Sequence, residues 1–201
     1  MSSGLPHCDE LFVRFFLPHY SVPDADRYPF GKLTRPDMMS SEYPNGTLVC
    51  EVSTLDEEGQ TAICDHLDTM TKAAISDFGR SHGLPAPPDS TWLETVDNYY
   101  NESVIERLIK DSDPTDDSND YKILCIEFGL LVAHVLQRDC SQLCWVADSP
   151  YWESTLLHEP TQNIIAPMHW GIKKMSGYGW DDGFVEKCEM CLGILSQDRE
   201  G

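Results

Sequence analysis

The chain has 201 residues, with 14 Lys and Arg against 34 Asp and Glu, a formal net charge of -20. That length makes one domain, or one domain with a substantial extension, and 41% hydrophobic with 10% aromatic residues is too apolar for a disordered acidic tail. The charge excludes a conventional nucleic-acid binder, argues against docking on anionic membranes, and favours a basic protein partner.

The start, MSSGLPHCDELFVRFF, lacks a cationic region, a long apolar run and a small-residue cleavage site, so no secretory signal is expected. No apolar run approaches the roughly 18 residues that span a bilayer. The eight cysteines then read as reduced thiols of a cytoplasmic protein. The sequons at Asn45 and Asn101 read as coincidences.

Asp9 to Phe16 is an apolar cluster ended by Pro18, either a short strand or a helical turn; periodicity does not separate the two. A loop follows, with Pro23, Pro29, Pro36 and Pro44. Asn45-Gly46 is a turn dipeptide, and Thr47 to Val52 behind it is β-prone. Thr54 and Glu57 have capping-box spacing. Ile63, Leu67, Met70, Ala74 and Phe78 then recur at helical spacing, up to a C-terminal Gly83 and the prolines beyond it. Ser90 or Thr91 caps a second helix with Trp92, Leu93 and Val96, and Val104 to Lys110 continues it or forms another piece.

Asp111 to Asp120, DSDPTDDSND, reads as an exposed acidic loop. Tyr121 to Gln137 is apolar almost all round, the mark of a buried central helix. Its polar residues Glu127 and His134 need partners if buried. Leu143–Val146, Thr155–His158 and Asn163–Ala166 are strand candidates. Met168 to Lys174 is a short helix or strand, and Gly177-Tyr178-Gly179 a loop. Asp182 starts a last helix with Phe184, Cys188, Cys191 and Leu195 on one face. The expected fold class is α+β: four or five helices packed on a small antiparallel sheet, without a doubly wound sheet. Residues 1–110 form an N-terminal α+β part and 121–197 a helix–strands–helix module. The acidic loop 111–120 joins them into one compact unit.

Several residue sets invite chemistry. Cys188 and Cys191, with Cys140 and Cys144, could supply four thiolates to zinc, but their place on an apolar helix face favours core cysteines. Cys144 with His158 and His169 could form a nucleophilic arrangement. The acidic loop lacks the spacing and position-12 Glu of a calcium loop. No dinucleotide, phosphate-loop or nucleophile-elbow motif is present. No cofactor and no metal are therefore expected. Trp145 reads as core, and Trp152, next to Tyr151 in a polar turn, reads as an interface anchor.

Phe128-Gly129, Trp145, Ile164-Ile165-Ala166-Pro167 and the Phe184–Leu195 segment carry a resemblance. Over about residues 122 to 195 the chain resembles small bacterial domains, several of which look like immunity proteins of polymorphic toxin systems. The resemblance implies a non-enzymatic antitoxin that binds a cognate toxin, and it brings no catalytic site. The acidic charge agrees, since an acidic surface speeds capture of a basic toxin and can block its active site. The expected contacts are Asp113, Asp116, Asp117 and Trp152, with neither nucleic acid nor membrane as partner. The alternative is a cytosolic Cys/His or metal-dependent hydrolase.

Overall fold

A computed structural model describes residues 4–20, 38–40 and 55–197. The described elements, in chain order, are α1 (Cys8–Phe15), β1 (Met38–Ser40), α2 (Glu57–His82), α3 (Ser90–Tyr99), α4 (Glu102–Asp111), α5 (Asp120–Asp139), β2 (Leu143–Val146), β3 (Thr155–His158), β4 (Asn163–Ile165), α6 (Pro167–Lys174) and α7 (Phe184–Gln197). Short 3-10 turns lie at Leu17–His19 and Tyr151–Glu153. The fold is α+β, as expected. It has seven described helices rather than four or five, because α1 and α6 are eight residues each, too short for periodicity to separate helix from strand. The expected strand at Thr47–Val52 lies outside the described residues.

Every described helix start except that of α6, which opens on Pro167, is set by a side chain that satisfies an otherwise orphaned N–H. The Asp56 carboxylate caps α2 by accepting the Gly59 N–H at 2.8 Å, so Asp56 takes the role expected of Thr54. Asp89, rather than Ser90 or Thr91, caps α3 through the Thr91 N–H at 2.9 Å. Asn101 caps α4 as a helix of its own, not a continuation of α3. The last helix starts at Phe184, two residues beyond the expected Asp182. Its N-terminal N–H donates to the Asp97 carboxylate of α3 at 2.9 Å. No local pattern could have shown a cap 87 residues away. Gly83 ends α2 in the left-handed region at φ 66°, where glycine carries no Cβ penalty.

The sheet is antiparallel in the order β1-β4-β3-β2. β3 is central, pairing Leu156 with Trp145 of β2 and with Ile165 of β4.

α5 runs through the middle. Twelve of its twenty residues are buried, Phe128 among them. The Phe128 ring meets Tyr100 at 4.7 Å, Phe78 at 6.2 Å and Phe184 at 6.4 Å, so one ring joins α2, the end of α3, α5 and α7. Trp145 is partly buried and packs against this core.

The closest approach is between α5 and α6. A Cβ on Gly129 would stand 2.5 Å from the Met168 Cα, and one on Gly171 would overlap the Cys125 carbonyl oxygen. Two backbones touch here, and only glycine permits it. Tyr121 fixes the end of the pair by donating its hydroxyl to the Met175 carbonyl at 3.0 Å. Substituting Gly171→Ala is expected to destabilise the chain by about 3 kcal/mol or more, the upper end of overpacking costs, since rigid backbone must move. Urea unfolding should show a lower midpoint at unchanged slope.

Candidate functional site

The acidic loop is more ordered than its composition suggests. Asp113 accepts the Thr115 N–H at 2.9 Å and its hydroxyl at 2.8 Å. Asp116 does the same for Ser118, at 2.9 Å and 2.7 Å. These bonds hold both carboxyls below their ordinary range, for Asp113 chiefly through the Thr115 N–H and for Asp116 chiefly through the Ser118 hydroxyl. The two are exposed, charged and fixed in direction. Their oxygens are spent on turns rather than gathered as a calcium loop would require.

Asp117 points the other way. Its carboxylate pairs with Lys122, which is 3% exposed, and lies 3.1 Å from His19 Nδ1. The hydrogen bond from Lys122 holds the Asp117 carboxyl below its ordinary range. Lys122 Nζ sits 5.0 Å over the Trp152 ring. Trp152 is 5% exposed and donates its indole N–H to the Tyr20 hydroxyl at 3.2 Å. The expected surface anchor is therefore a core side chain, whose polar handle is spent inside. Tyr20 in turn donates to Glu153, whose other oxygen meets His169 Nε2 at 2.9 Å in full burial. A continuous polar path thus leads from the acidic loop into the core. It ties residues 19 and 20, the 151–153 turn and α6 to the start of α5.

The expected nucleophilic set does not assemble. Cys144 stands opposite Leu157, and His158 opposite Leu143, so Cys144 and His158 lie on opposite faces of the sheet. His158 Nδ1 is bonded to the Thr161 hydroxyl at 2.8 Å. His169 faces Glu153 instead. Burial and the nearby Glu159 push the Cys144 thiol up, away from a thiolate.

Nor do the four cysteines gather around a point. Burial pushes Cys188 and Cys191 up to about 12, as befits core thiols. Among the described residues, the one group of three such side chains with ligand atoms within 4.8 Å is His7, Cys8 and Asp9. There His7 Nδ1 accepts the Asp9 N–H at 3.3 Å, so His7 is the cap of α1, and burial pushes Cys8 up to about 11.

A concavity remains, between α2 and α5. Met70, Ala73 and Ala74 face it from α2. Ile123, Ile126, Glu127 and Leu130 face it from α5, at the i, i+3, i+4, i+7 spacing of one helix face. Asp117, Lys122 and Tyr151 close one end. The cavity exists because α2 offers two alanines where α5 offers long side chains. Its volume is about 120 Å³, against the roughly 300–1,000 Å³ of small-molecule sites. It is the size of one protein side chain. Two wider depressions lie elsewhere. One, of about 620 Å³, runs along the acidic start of α2, and one, of about 360 Å³, lies between Cys140 and the end of α7.

Glu127 is the unusual group in the cavity. Burial, with a smaller contribution from Asp77 of α2, raises its pKa from 4.5 to about 7. Sequence reasoning singled out Glu127 as a carboxylate in an apolar helix. It missed Lys122, at the start of the same apolar helix, and Glu153 and Tyr20, whose sequence surroundings are those of ordinary surface residues. His134, the other polar residue of that helix, is half-buried, and burial pushes its pKa down.

Neither a protein-family model, nor a curated protein, nor a solved structure matches the chain.

The folded state holds the Glu127 proton more tightly than the unfolded chain does. Glu127 therefore favours folding below its unfolded pKa of about 4.5, and that contribution is lost as pH rises through about 7. Glu127→Gln should gain stability over the native chain between pH 5 and pH 8, by an amount of order 2 kcal/mol after allowing for partial solvation. Urea melts of both proteins at the two pH values check this. A constant difference between them would show that Glu127 titrates normally.

Proposed function

We propose that this chain is a non-enzymatic cytoplasmic immunity protein that neutralises a basic toxin by one-to-one contact. The observation that carries the reading is the segregation of charge. Lys122, Lys173 and Lys174 are 3%, 2% and 3% exposed. Lys187 is nearly enclosed as well, paired with Asp182 at 3.1 Å. Lys174 meets Asp97 at 3.0 Å inside the fold. Four of the ten described cations are thus drawn inward, while Arg14, Lys72, Arg80, Arg107, Lys110 and Arg138 stay exposed among a larger number of exposed acids. Of the outer ones, Arg80 is paired with Asp77 and Arg138 with Asp139. Asp56, Glu57, Glu58, Asp65 and Asp68 stay exposed along α2, as do Asp111, Asp113, Asp116, Asp117 and Asp120 around the loop.

An anionic exterior of this kind raises encounter rates with a basic partner by about 10–1,000-fold and is of little use to a protein that meets anions. The resemblance over residues 122–195 supports a toxin as that partner. No described helix is long and apolar enough to cross a membrane. Asp113 and Asp116, fixed and outward, are the contacts to test first.

Tagged chain is used to capture partners from the native host's lysate at low and high salt, and the bound proteins are read by mass spectrometry. One stoichiometric basic protein is expected, toxic when expressed alone and harmless with this chain. Its association rate should fall by roughly tenfold or more from about 50 mM to about 500 mM salt, as surface charges are screened. Asp113→Asn with Asp116→Asn, which keeps the turn acceptors, should slow association and leave dissociation unchanged. A partner whose association ignores salt, or no partner at either salt, overturns the reading.

A further inference from the structure

We infer that the cavity between α2 and α5 is a receptor for a single arginine side chain of the basic partner, its stem against Ala73, Ala74 and Ile126 and its guanidinium on Glu127. This rests on the proposal that the chain binds a basic protein, and it names where the partner is gripped.

Size is the first argument. About 120 Å³ is too little for a metabolite or cofactor, and it matches one side chain. A pocket filled by one anchor residue is how interfaces concentrate their binding energy, and arginine is among the anchors most used.

The lining is the second argument. Both helices present apolar surface along most of the groove, which suits the methylenes of a long cation. The polar groups divide into two sets. Asp117 and Lys122 already satisfy each other, with His19 beside them. Asp77 of α2 is paired with Arg80 at 2.7 Å. Tyr151, the wall from the 151–153 turn, is edge-on to His66 at 4.9 Å and brings no charge, because burial pushes its phenol up to about 12. Among the described acidic and basic side chains lining the cavity, Glu127 alone has neither a side-chain hydrogen bond nor an ion pair. An incoming cation is therefore directed to Glu127.

Arginine fits better than lysine. Its guanidinium is more weakly hydrated, so entering a half-buried site costs it less, and its fork matches a carboxylate with two parallel bonds. Glu127 is half protonated near neutrality when the cavity is empty. Binding a cation there requires the ionised form, so the site should release a proton on filling and should weaken in acid.

The probe is the n-propylguanidinium ion, the arginine side chain without its backbone, titrated into the full chain and followed by amide chemical shifts. Shifts should centre on residues 70–77 and 123–130. Affinity should fall roughly tenfold or more from pH 8 to pH 5.5, following the ionised fraction of Glu127. Glu127→Gln should abolish binding. Ala73→Leu, placed at an exposed helical position on the rim, should block the cavity while the fold melts normally. Neutral n-propylurea should bind more weakly than the cation. Shifts that fall elsewhere on the surface, or that persist unchanged in both variants, overturn the assignment. That failure would leave the salt dependence of partner capture untouched, so it is distinguishable from a failure of the proposed function.

Discussion

The fold depends on how closely one backbone can approach α5. At Gly129 of α5 and Gly171 of α6 the glycine interposes no side chain, and the two helices meet main chain to main chain. That contact places α6 immediately after β4, so the sheet is drawn against one side of α5. It leaves the other sides free for α2, α3 and α7, which gather around the Phe128 ring. A helix apolar all round can be tolerated in water only when it is wrapped in this way. The glycines decide the depth of the wrapping, because any Cβ there would force the two helices apart and reopen the core.

The polar interior follows from the same arrangement. Once α5 and α6 are buried, the lysines they carry are buried with them. A buried ammonium is costly without a partner, and each needs an acceptor nearby. Lys122 finds Asp117 and the face of Trp152, and Lys174 finds Asp97 and the Asp182 carbonyl. Acidic residues from the loop and from α3 are thus recruited as partners, and most of the other described acids face outward, outnumbering the exposed cations. The anionic exterior is a product of how the cations are placed, as well as of the 14 to 34 ratio in the sequence.

Charge and cavity meet at the start of α5. Asp117 is at once the rim of the α2/α5 cavity and the outer end of the path through Lys122, Trp152, Tyr20 and Glu153 to His169. A partner that pulls on the loop therefore pulls on residues fixed in the core. Such a loop pays little ordering entropy on binding, because its turns are already formed by Asp113 and Asp116. Pre-formed acidic contacts beside a side-chain-sized pocket suit rapid capture followed by firm retention.

Much was legible in the residues themselves. The α+β class, the buried helix from Tyr121, three of the four described strands, the Gly83 stop and the core place of Cys188 and Cys191 follow from patterns local to the chain. Period, turn chemistry and caps act over a few residues, and the sequence displays them directly. The local reading erred where the deciding partner was distant. It offered Trp152 to solvent, because the Tyr20 hydroxyl that receives its N–H lies 132 residues away. It grouped Cys144, His158 and His169, because only strand register shows that the first two face apart. Glu127 marks the boundary. The sequence alone determined that a carboxylate would sit in an apolar helix and would need an explanation. Only the tertiary structure decided that two alanines of α2 would stand opposite and leave it a cavity, because a void is a property of two surfaces, and one stretch of chain specifies only one of them.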